Sequence, residues 1–179
     1  MKKNAWIAGA AAVLIAGSAA WYFASPGYAM SELRDAASEG DADALEDNID
    51  FPAVRESLKS QLKAEMMAQI ASEETEGFGA FGGMMMLGMI DPMIDGMVTA
   101  DGMARLIEEG RFAEPGTDAP VSEEEQVDDW TIERDGISSF TARPVAPAGE
   151  KVPGLVFERD GLGWRLTEID IPEGGLGAS

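Results

Sequence analysis

Residues 155–166 read Leu155-Val156-Phe157-Glu158-Arg159-Asp160-Gly161-Leu162-Gly163-Trp164-Arg165-Leu166, and they indicate how the C-terminal half is built. Large apolar residues stand at every second position on both sides of Asp160-Gly161, Leu155 and Phe157 before it and Trp164 and Leu166 after it, which is the period of strands that bury one face. Asp-Gly is a strong signal for a two-residue hairpin turn, because such turns need positive φ values. The run therefore predicts an antiparallel β-hairpin.

A second hairpin is predicted upstream of the first. Another Arg-Asp-Gly turn stands at 134–136, with an alternating segment on each side that carries Trp130 and Phe140. The Pro-rich segment 144–153 then separates the two hairpins. Alternating strands joined by such turns are typical of an antiparallel meander. We predict a four-stranded antiparallel β-meander over residues 127–172.

The last strand has an irregular period. Ile169 and Ile171 fall one residue out of step with Trp164 and Leu166. An extra residue in one strand restores such a phase difference, and this is the definition of a β-bulge. The pattern predicts a bulge near Thr167.

The residues before the meander have a helical period. Asp50-Phe51-Pro52 is a strong helix start, with Asp as the N-cap and Pro in the first turn. The helix is predicted to run to about Ser72, and its apolar stripe is Val54, Leu58, Leu62, Met66 and Ile70. Shorter helices are expected after Ser31, from Ala42 to Asn48 after the N-cap Asp41, and from about Thr99.

These elements define an α+β domain with helices packed on one face of the sheet. We place a helical part at 30–110, a Pro/Gly/Asp-rich loop at 111–126 and the meander at 127–172. A flexible tail is expected at 173–179. The whole of 25–172 is predicted to be one domain.

The N-terminus has the composition of a membrane anchor. Residues 5–23 are about 19 uncharged, largely apolar residues, which is enough to span hydrocarbon. Lys2 and Lys3 precede the segment, and the first charge after it is Glu32. The positive-inside rule predicts an anchor at 1–24, with the N-terminus cytoplasmic and the domain on the extracytoplasmic side.

Two further expectations concern this segment. Ser25-Pro26-Gly27 is predicted to end the anchor helix, because Pro and Gly together break helices. A cleaved signal peptide is the alternative to an anchor, since Ser18-Ala19-Ala20 offers small residues at suitable offsets. Both interpretations export the domain.

The amino-acid composition excludes several classes of function. The chain carries 33 acidic and 13 basic residues, for a formal charge of −20. Such a surface repels phosphate backbones, so nucleic acid is not an expected partner. The chain has no cysteine and no histidine, which removes thiol nucleophiles, catalytic triads that use histidine and most zinc sites. We expect no cofactor.

Several short motifs stand out between Ser25 and Pro172. They are Ser25-Pro26, Gly40-Asp41, Asp50-Phe51-Pro52-Ala53-Val54-Arg55, Val98-Thr99, Phe157-Glu158-Arg159-Asp160-Gly161 and Trp164. With these motifs the layout resembles a bacterial family known only as a domain of unknown function, DUF2939. The resemblance implies an envelope protein anchored in a bacterial inner membrane with its domain in the periplasm, and it brings no activity, ligand or catalytic residue.

The order of helices before a curved meander also looks, more distantly, like the nuclear-transport-factor-2-like fold. That likeness implies a conical pocket between sheet and helices. The short first helices and the long Gly/Met insertion depart from the usual pattern, and fold alone does not imply function.

The Gly/Met-rich segment 77–90 is the most unusual in the chain. We predict a buried helix, packed closely through its glycines and broken or kinked at Pro92, with Asp91 as an N-cap. Together with two strand tryptophans it supplies the candidate contacts with a ligand or partner, which are Phe78, Phe81, Met85, Met89, Trp130 and Trp164. Both tryptophans are also explained as core residues.

Methionine is the one candidate metal ligand. Met86, Met89 and Met93 share a helical face, and thioethers select Cu(I). The alternative is that these methionines fill irregular core space.

Two sets of charged residues lie near each other in the helical part. Asp91 and Asp95 are one helical turn apart beside apolar residues that could raise a pKa, so a carboxylate-dependent hydrolase is a second alternative. Arg55, Lys59 and Lys63 line one face of the predicted helix. They either pair with local carboxylates such as Glu56 or bind an anionic partner.

The sequence favours a non-catalytic, membrane-tethered periplasmic domain, with the membrane bound through 5–23. Its partner is either a small apolar ligand or an envelope protein. A pocket lined by Phe, Met and Trp would favour the ligand. An exposed apolar patch at 78–89 would favour the protein.

Overall fold

The computed structural model describes residues 2–72, 78–109, 129–145 and 152–172, and for 2–10, 19, 69–72, 78–82, 84 and 109 it describes the backbone alone. The predicted loop at 111–126 and the predicted tail at 173–179 lie outside the described residues.

The described residues form five helices followed by four strands, which confirms the α+β class. The helices are α1 (Lys2–Glu39), α2 (Ala42–Asn48), α3 (Phe51–Ser72), α4 (Phe78–Met97) and α5 (Ala100–Glu109). The strands are β1 (Trp130–Arg134), β2 (Ser139–Pro144), β3 (Gly154–Asp160) and β4 (Gly163–Asp170).

The sheet is the predicted antiparallel meander, in the order β1-β2-β3-β4. Both Arg-Asp-Gly turns place their glycine at positive φ, 87° at Gly136 and 59° at Gly161. A residue with a Cβ is strained there, which is why glycine follows aspartate in each turn. The backbone amide of Arg159 donates to the carbonyl of Ser138 at 2.8 Å, so the two turns lie side by side at one end of the sheet.

The bulge predicted near Thr167 is confirmed. Val156 pairs with Glu168, whereas the next residue, Phe157, pairs with Leu166. Thr167 is therefore the extra residue of β4. Its insertion brings Ile169 onto the same face as Leu166, and both side chains are fully buried.

One face of the sheet carries the core. The ring of Phe140 stacks on that of Phe157 at 4.5 Å and meets the ring of Trp164 edge-on at 4.8 Å. Buried residues of the helices pack against these rings and include Leu33, Leu45, Ile49, Val54, Leu58, Ile90, Ile94, Met103, Leu106 and Ile107. The helical periodicity and the strand alternation thus supply the two halves of one core.

Helix α3 is fixed along the free edge of β4. Its start is as predicted: the Asp50 side chain accepts from the amide of Ala53 at 3.1 Å. The Asp50 amide in turn donates to the carbonyl of Leu166 at 2.8 Å. Three turns later the side chain of Gln61 donates to the carbonyl of Ile169 and accepts from the amide of Ile171. These contacts show that α3 runs from the hairpin-turn end of the sheet toward its other end.

Helix α1 does not end at Ser25-Pro26-Gly27, so that prediction was wrong. It continues as one helix to Glu39 with Pro26 inside it. Proline removes the donor for the carbonyl four residues earlier, which is that of Tyr22. The Ser25 hydroxyl and the Arg134 guanidinium both donate to that carbonyl instead. A supplied donor of this kind lets a proline persist inside a helix.

The prediction that a separate helix begins at Ser31 was also wrong, because α1 continues through this residue. The Ser31 hydroxyl donates back to the carbonyl of Tyr28 at 2.8 Å inside α1. The helix ends as the sequence predicts, with Gly40 at a φ of 64°. Asp41 then caps α2 by accepting from the amide of Ala44. The glycine and the aspartate therefore define the α1–α2 corner.

None of the helices, over the residues described, combines the length and apolar character needed to cross a membrane. The side chains of residues 2–10 and 19 fall outside the description. The membrane span at 5–23 stays a prediction.

Helix α4 is not broken at Pro92, in contrast to the prediction. It runs without interruption from Phe78 to Met97, so Asp91 is an interior residue and not an N-cap. The carbonyl that loses its donor to Pro92 is that of Gly88. Gly88 is exposed, so water can reach this part of the backbone in place of the missing amide.

Candidate functional site

Helix α4 has one buried face and one exposed face. Ile90 and Ile94 are buried in the core. A neighbouring side of the helix carries four methionines with much of their surface exposed, Met85, Met86, Met89 and Met93, and we call them the methionine face. Met86 is 60% exposed and Met89 is 65% exposed. The interpretation of these residues as core filler, and of α4 as a wholly buried helix, was therefore wrong.

Ion pairs across the α3–α4 interface hold this helix in place. Lys59 Nζ lies 2.7 Å from Asp95 Oδ1, and Lys63 Nζ lies 2.6 Å from Asp91 Oδ1. Arg55 donates through Nη2 to the carbonyl of Val98 at 2.7 Å. The predicted basic strip of α3 thus faces α4, and its carboxylate partners are on that helix.

These pairs change the interpretation of Asp91 and Asp95. The hydrogen bond from Lys63 lowers the pKa of Asp91, even though partial desolvation acts the other way. The expectation that apolar neighbours would raise the pKa of Asp91 was therefore wrong. A general acid that works near neutral pH needs a raised carboxyl pKa, so Asp91 lacks that property. The geometry explains both carboxylates as helix-pairing groups.

The methionine face lies far from the hairpin turns. Arg55, Lys59 and Lys63 meet successively earlier residues of α4, so the two helices are antiparallel. Continued by one to two turns, this pairing places Met89 and Met86 beside the last third of α3. At about 1.5 Å per residue, that region is on the order of 20 Å along α3 from its start beside β4. The face therefore lies at the opposite end of α3 from the hairpin turns, where α1 enters.

A cleft of about 450 Å³ lies where the α2–α3 corner, the start of α5 and β4 meet. Arg165 on its wall donates through Nη2 to the carbonyls of Glu46 and Ile49, at 3.2 and 3.1 Å. The cleft is also lined by Phe51, Pro52, Arg55, Thr99 and Ala100. None of the six predicted contact residues lines it, and its charged wall does not suit an apolar ligand.

The predicted contact residues are not brought together in one site. Met85 and Met89 belong to the methionine face, whereas the side chains of Phe78 and Phe81 fall outside the description. Trp164 is 5% exposed and donates through Nε1 to the Ser25 hydroxyl at 3.1 Å. Trp130 is partly buried against the core. The two tryptophans thus occupy core positions.

The metal alternative depends on the methionines alone. In the described ranges, no group of three or more histidine, cysteine, aspartate or glutamate side chains is placed to hold a metal ion. Met86, Met89 and Met93 are all solvent-exposed, so their thioethers are not committed to packing.

Sequence reasoning did not single out the residue after each Asp-Gly pair. Ile137 is 76% exposed and Leu162 is 81% exposed, and each stands at the tip of a hairpin turn. The signal was present, because turn positions favour Gly, Asn, Asp, Ser and Pro over large aliphatic residues. The Tyr22 hydroxyl donates to the carbonyl of Gly136 at 3.2 Å, so α1 passes directly beside these tips.

These features define a small α+β domain with a long N-terminal helix and an exposed methionine face. The chain matches, over residues 15–106, the family described as protein of unknown function (DUF2939), and it belongs to that family. The match covers α2, α3, α4 and most of α1 and α5, while the strand residues that also suggested the family lie beyond it. No curated protein and no solved structure is detectably similar to the chain.

Proposed function

We propose that this protein is a membrane-tethered, non-catalytic interaction domain of the bacterial envelope, which binds an apolar segment of a partner protein through its methionine face. The observation that carries the proposal is the exposure of Met85, Met86 and Met89 on an uncharged stretch of α4. Contiguous exposed apolar residues on a soluble domain mark interaction sites.

The chemistry of methionine suits a protein partner. Its side chain is flexible and polarisable, so a methionine-rich surface adapts to differently shaped apolar segments. The helix beneath is rigid, since Ile90 and Ile94 anchor it in the core and Lys59 and Lys63 pair with it. A firm scaffold with adaptable side chains is a favourable design for binding an apolar helix or strand.

The tether is supported by the residues at the start of α1. Val13, Leu14 and Ile15 are each at least 70% exposed, so a run of apolar side chains projects from the domain. Such a surface is unstable in water and favourable in lipid. With Lys2 and Lys3 before it, the segment 5–23 would cross the inner membrane and leave the domain in the periplasm.

Site-specific photocrosslinking in cell membranes tests the binding surface. A photoreactive amino acid at Met86 or Met89 is expected to capture one discrete partner band. The control is the same amino acid at Ser60, an exposed position of α3 away from the methionine face. Equal capture from Ser60 would remove the support for the site.

Fusion of a reporter enzyme after Ser179 tests the placement. A periplasm-dependent reporter is expected to be active and a cytoplasm-dependent one inactive. The reverse result would overturn the periplasmic placement while leaving the methionine face to be tested separately.

Handling of Cu(I) is a second candidate, favoured by the exposure of Met86, Met89 and Met93. Changing all three to Leu keeps the apolar surface and removes the sulfur atoms. If the surface binds protein, crosslinking from Met85 survives in this variant. If it binds copper, the variant loses Cu(I) affinity measured against a competing chelator, while the unchanged protein retains it.

A further inference from the structure

Two hairpin tips lie side by side on one face of α1, at the point where the helix leaves the domain. At the first, the Tyr22 hydroxyl donates to the carbonyl of Gly136, and the Arg134 guanidinium lies 4.2 Å above the Tyr22 ring. At the second, Trp164 donates to the hydroxyl of Ser25. Both hairpins therefore contact the same two turns of α1, at the C-terminal end of the predicted membrane segment.

The tips share one arrangement of side chains. Each turn reads Arg-Asp-Gly followed by an aliphatic residue, Ile137 in the first and Leu162 in the second. Each arginine is held over an aromatic ring, Arg134 over Tyr22 and Arg159 over Trp164 at 4.0 Å. The side chains of Ile137 and Leu162 project into solvent, and neither packs on the core.

Exposed apolar residues of α1 continue this surface. Phe23 is exposed and lies 6.0 Å from the Arg134 guanidinium of the first hairpin. Trp21 is half exposed, and its ring lies 6.1 Å from that of the exposed Tyr28. Together with Ile137 and Leu162 they make an apolar collar around the exit of α1. Tryptophan and tyrosine are favoured where a protein meets the lipid headgroups.

We propose that this collar is a second membrane contact, in which Ile137 and Leu162 enter the headgroup–acyl boundary beside the anchor. The inference rests on the proposed tether. We assign lipid as the partner of the collar because the collar is continuous with the apolar surface of α1 at Val13–Ile15. The acidic members of the turns, Asp135 and Asp160, limit the depth to the interface, since carboxylates are costly in hydrocarbon.

The contact would fix the orientation of the domain. A single helix crossing lipid leaves a domain free to tilt, whereas two further lipid contacts beside the helix restrict that tilt. The methionine face at the other end of α3 would then point away from the bilayer, toward partners in the periplasm.

Depth-dependent fluorescence quenching on the full chain tests this inference. The chain has no cysteine, so single Ile137→Cys and Leu162→Cys variants can be labelled with an environment-sensitive dye. The probe is a vesicle of phosphatidylethanolamine and phosphatidylglycerol that contains brominated lipid. Val145→Cys is the matched control, because Val145 is 59% exposed but follows the far end of β2. Val13→Cys reports on the anchor.

We expect the dyes at 137 and 162 to shift to the blue and to be quenched by bromines near the headgroups. The dye at 145 should show neither effect, and the dye at 13 should be quenched by bromines deep in the acyl chains. Quenching at 13 without quenching at 137 and 162 would overturn the collar and leave the tether in place. Absence of quenching at 13 would overturn both.

A second copy of the chain is the competing occupant. Under mild oxidation in the same vesicles, unlabelled Leu162→Cys protein should stay monomeric. Rapid disulfide formation between two copies, with no lipid quenching at 162, would assign the collar to a dimer and contradict a membrane contact.

Discussion

Arg134 on β1 donates a hydrogen bond to the backbone carbonyl of Tyr22 on α1, which is the carbonyl that Pro26 leaves without a helical donor. The same guanidinium lies over the Tyr22 ring at 4.2 Å. A side chain of the sheet therefore replaces a hydrogen bond that is missing from a helix distant in sequence. Together with the Ser25 hydroxyl, Arg134 supplies donors in place of the one that Pro26 removes from this carbonyl.

This pairing predicts a specific coupling between Arg134 and Pro26. Arg134→Ala removes a charged donor and is expected to destabilise the domain by about 1–3 kcal/mol. In a Pro26→Ala background the new backbone amide can bond the Tyr22 carbonyl, so the same change should cost less. Urea unfolding of the four proteins in detergent, followed by circular dichroism, gives the coupling free energy. Strictly additive changes in the free energy of unfolding would contradict the proposed role of Arg134 as the replacement donor for Pro26.

The C-terminal half was predictable because its signals are local. Alternation of apolar residues and two Asp-Gly turns define the strands, and the phase change between Leu166 and Ile169 located the bulge. Likewise Asp50, Gly40 and Asp41 mark helix ends through bonds within a few residues of themselves. Each of these features depends on the chain close to it.

The continuity of α1 and α4 was not predictable in the same way. Pro26 and Pro92 are local breakers, and part of what offsets the first is a contact from Arg134, more than a hundred residues away. The exposure of the methionines also depends on which face of α4 meets α3, which Lys59 and Lys63 decide through Asp95 and Asp91. Methionine itself is equally compatible with a core and with a binding surface.

The two faces of α4 predict different costs for neighbouring substitutions. Ile94 is 5% exposed and Met93 is 44% exposed. Ile94→Ala should leave a cavity and cost about 2–4 kcal/mol. Met93→Ala should change the free energy of unfolding by no more than about 0.5 kcal/mol, as at other surface sites. Urea midpoints measure both, and an equal loss in the two variants would contradict the exposure of the methionine face.

The Lys63–Asp91 pair predicts a pH effect of defined sign. Because Lys63 lowers the pKa of Asp91 in the folded protein, ionised Asp91 favours folding. This stabilisation is fully present above the pKa of the unfolded carboxyl and is lost as the pH falls through the lowered folded value. Lys63→Met should raise the pKa of Asp91, whereas Lys63→Arg should largely preserve it. Carbon-13 NMR titration of the Asp91 carboxyl measures the change, and an identical titration in the Met variant would rule out the lysine as its cause.

The bulge at Thr167 predicts that one deletion in β4 is tolerated and a nearby one is not. Without Thr167, residues Trp164, Leu166, Ile169 and Ile171 alternate regularly and can still share the core face. Without Arg165, Trp164 and Leu166 become adjacent, so one of these two large side chains must leave the core. We expect the Thr167 deletion to give a cooperative thermal transition at a modestly lower temperature. The Arg165 deletion should abolish the transition, because expelling Trp164 or Leu166 removes several kcal/mol of core packing. Equal damage from both deletions would show that the bulge itself, and not the phase it restores, is what β4 requires.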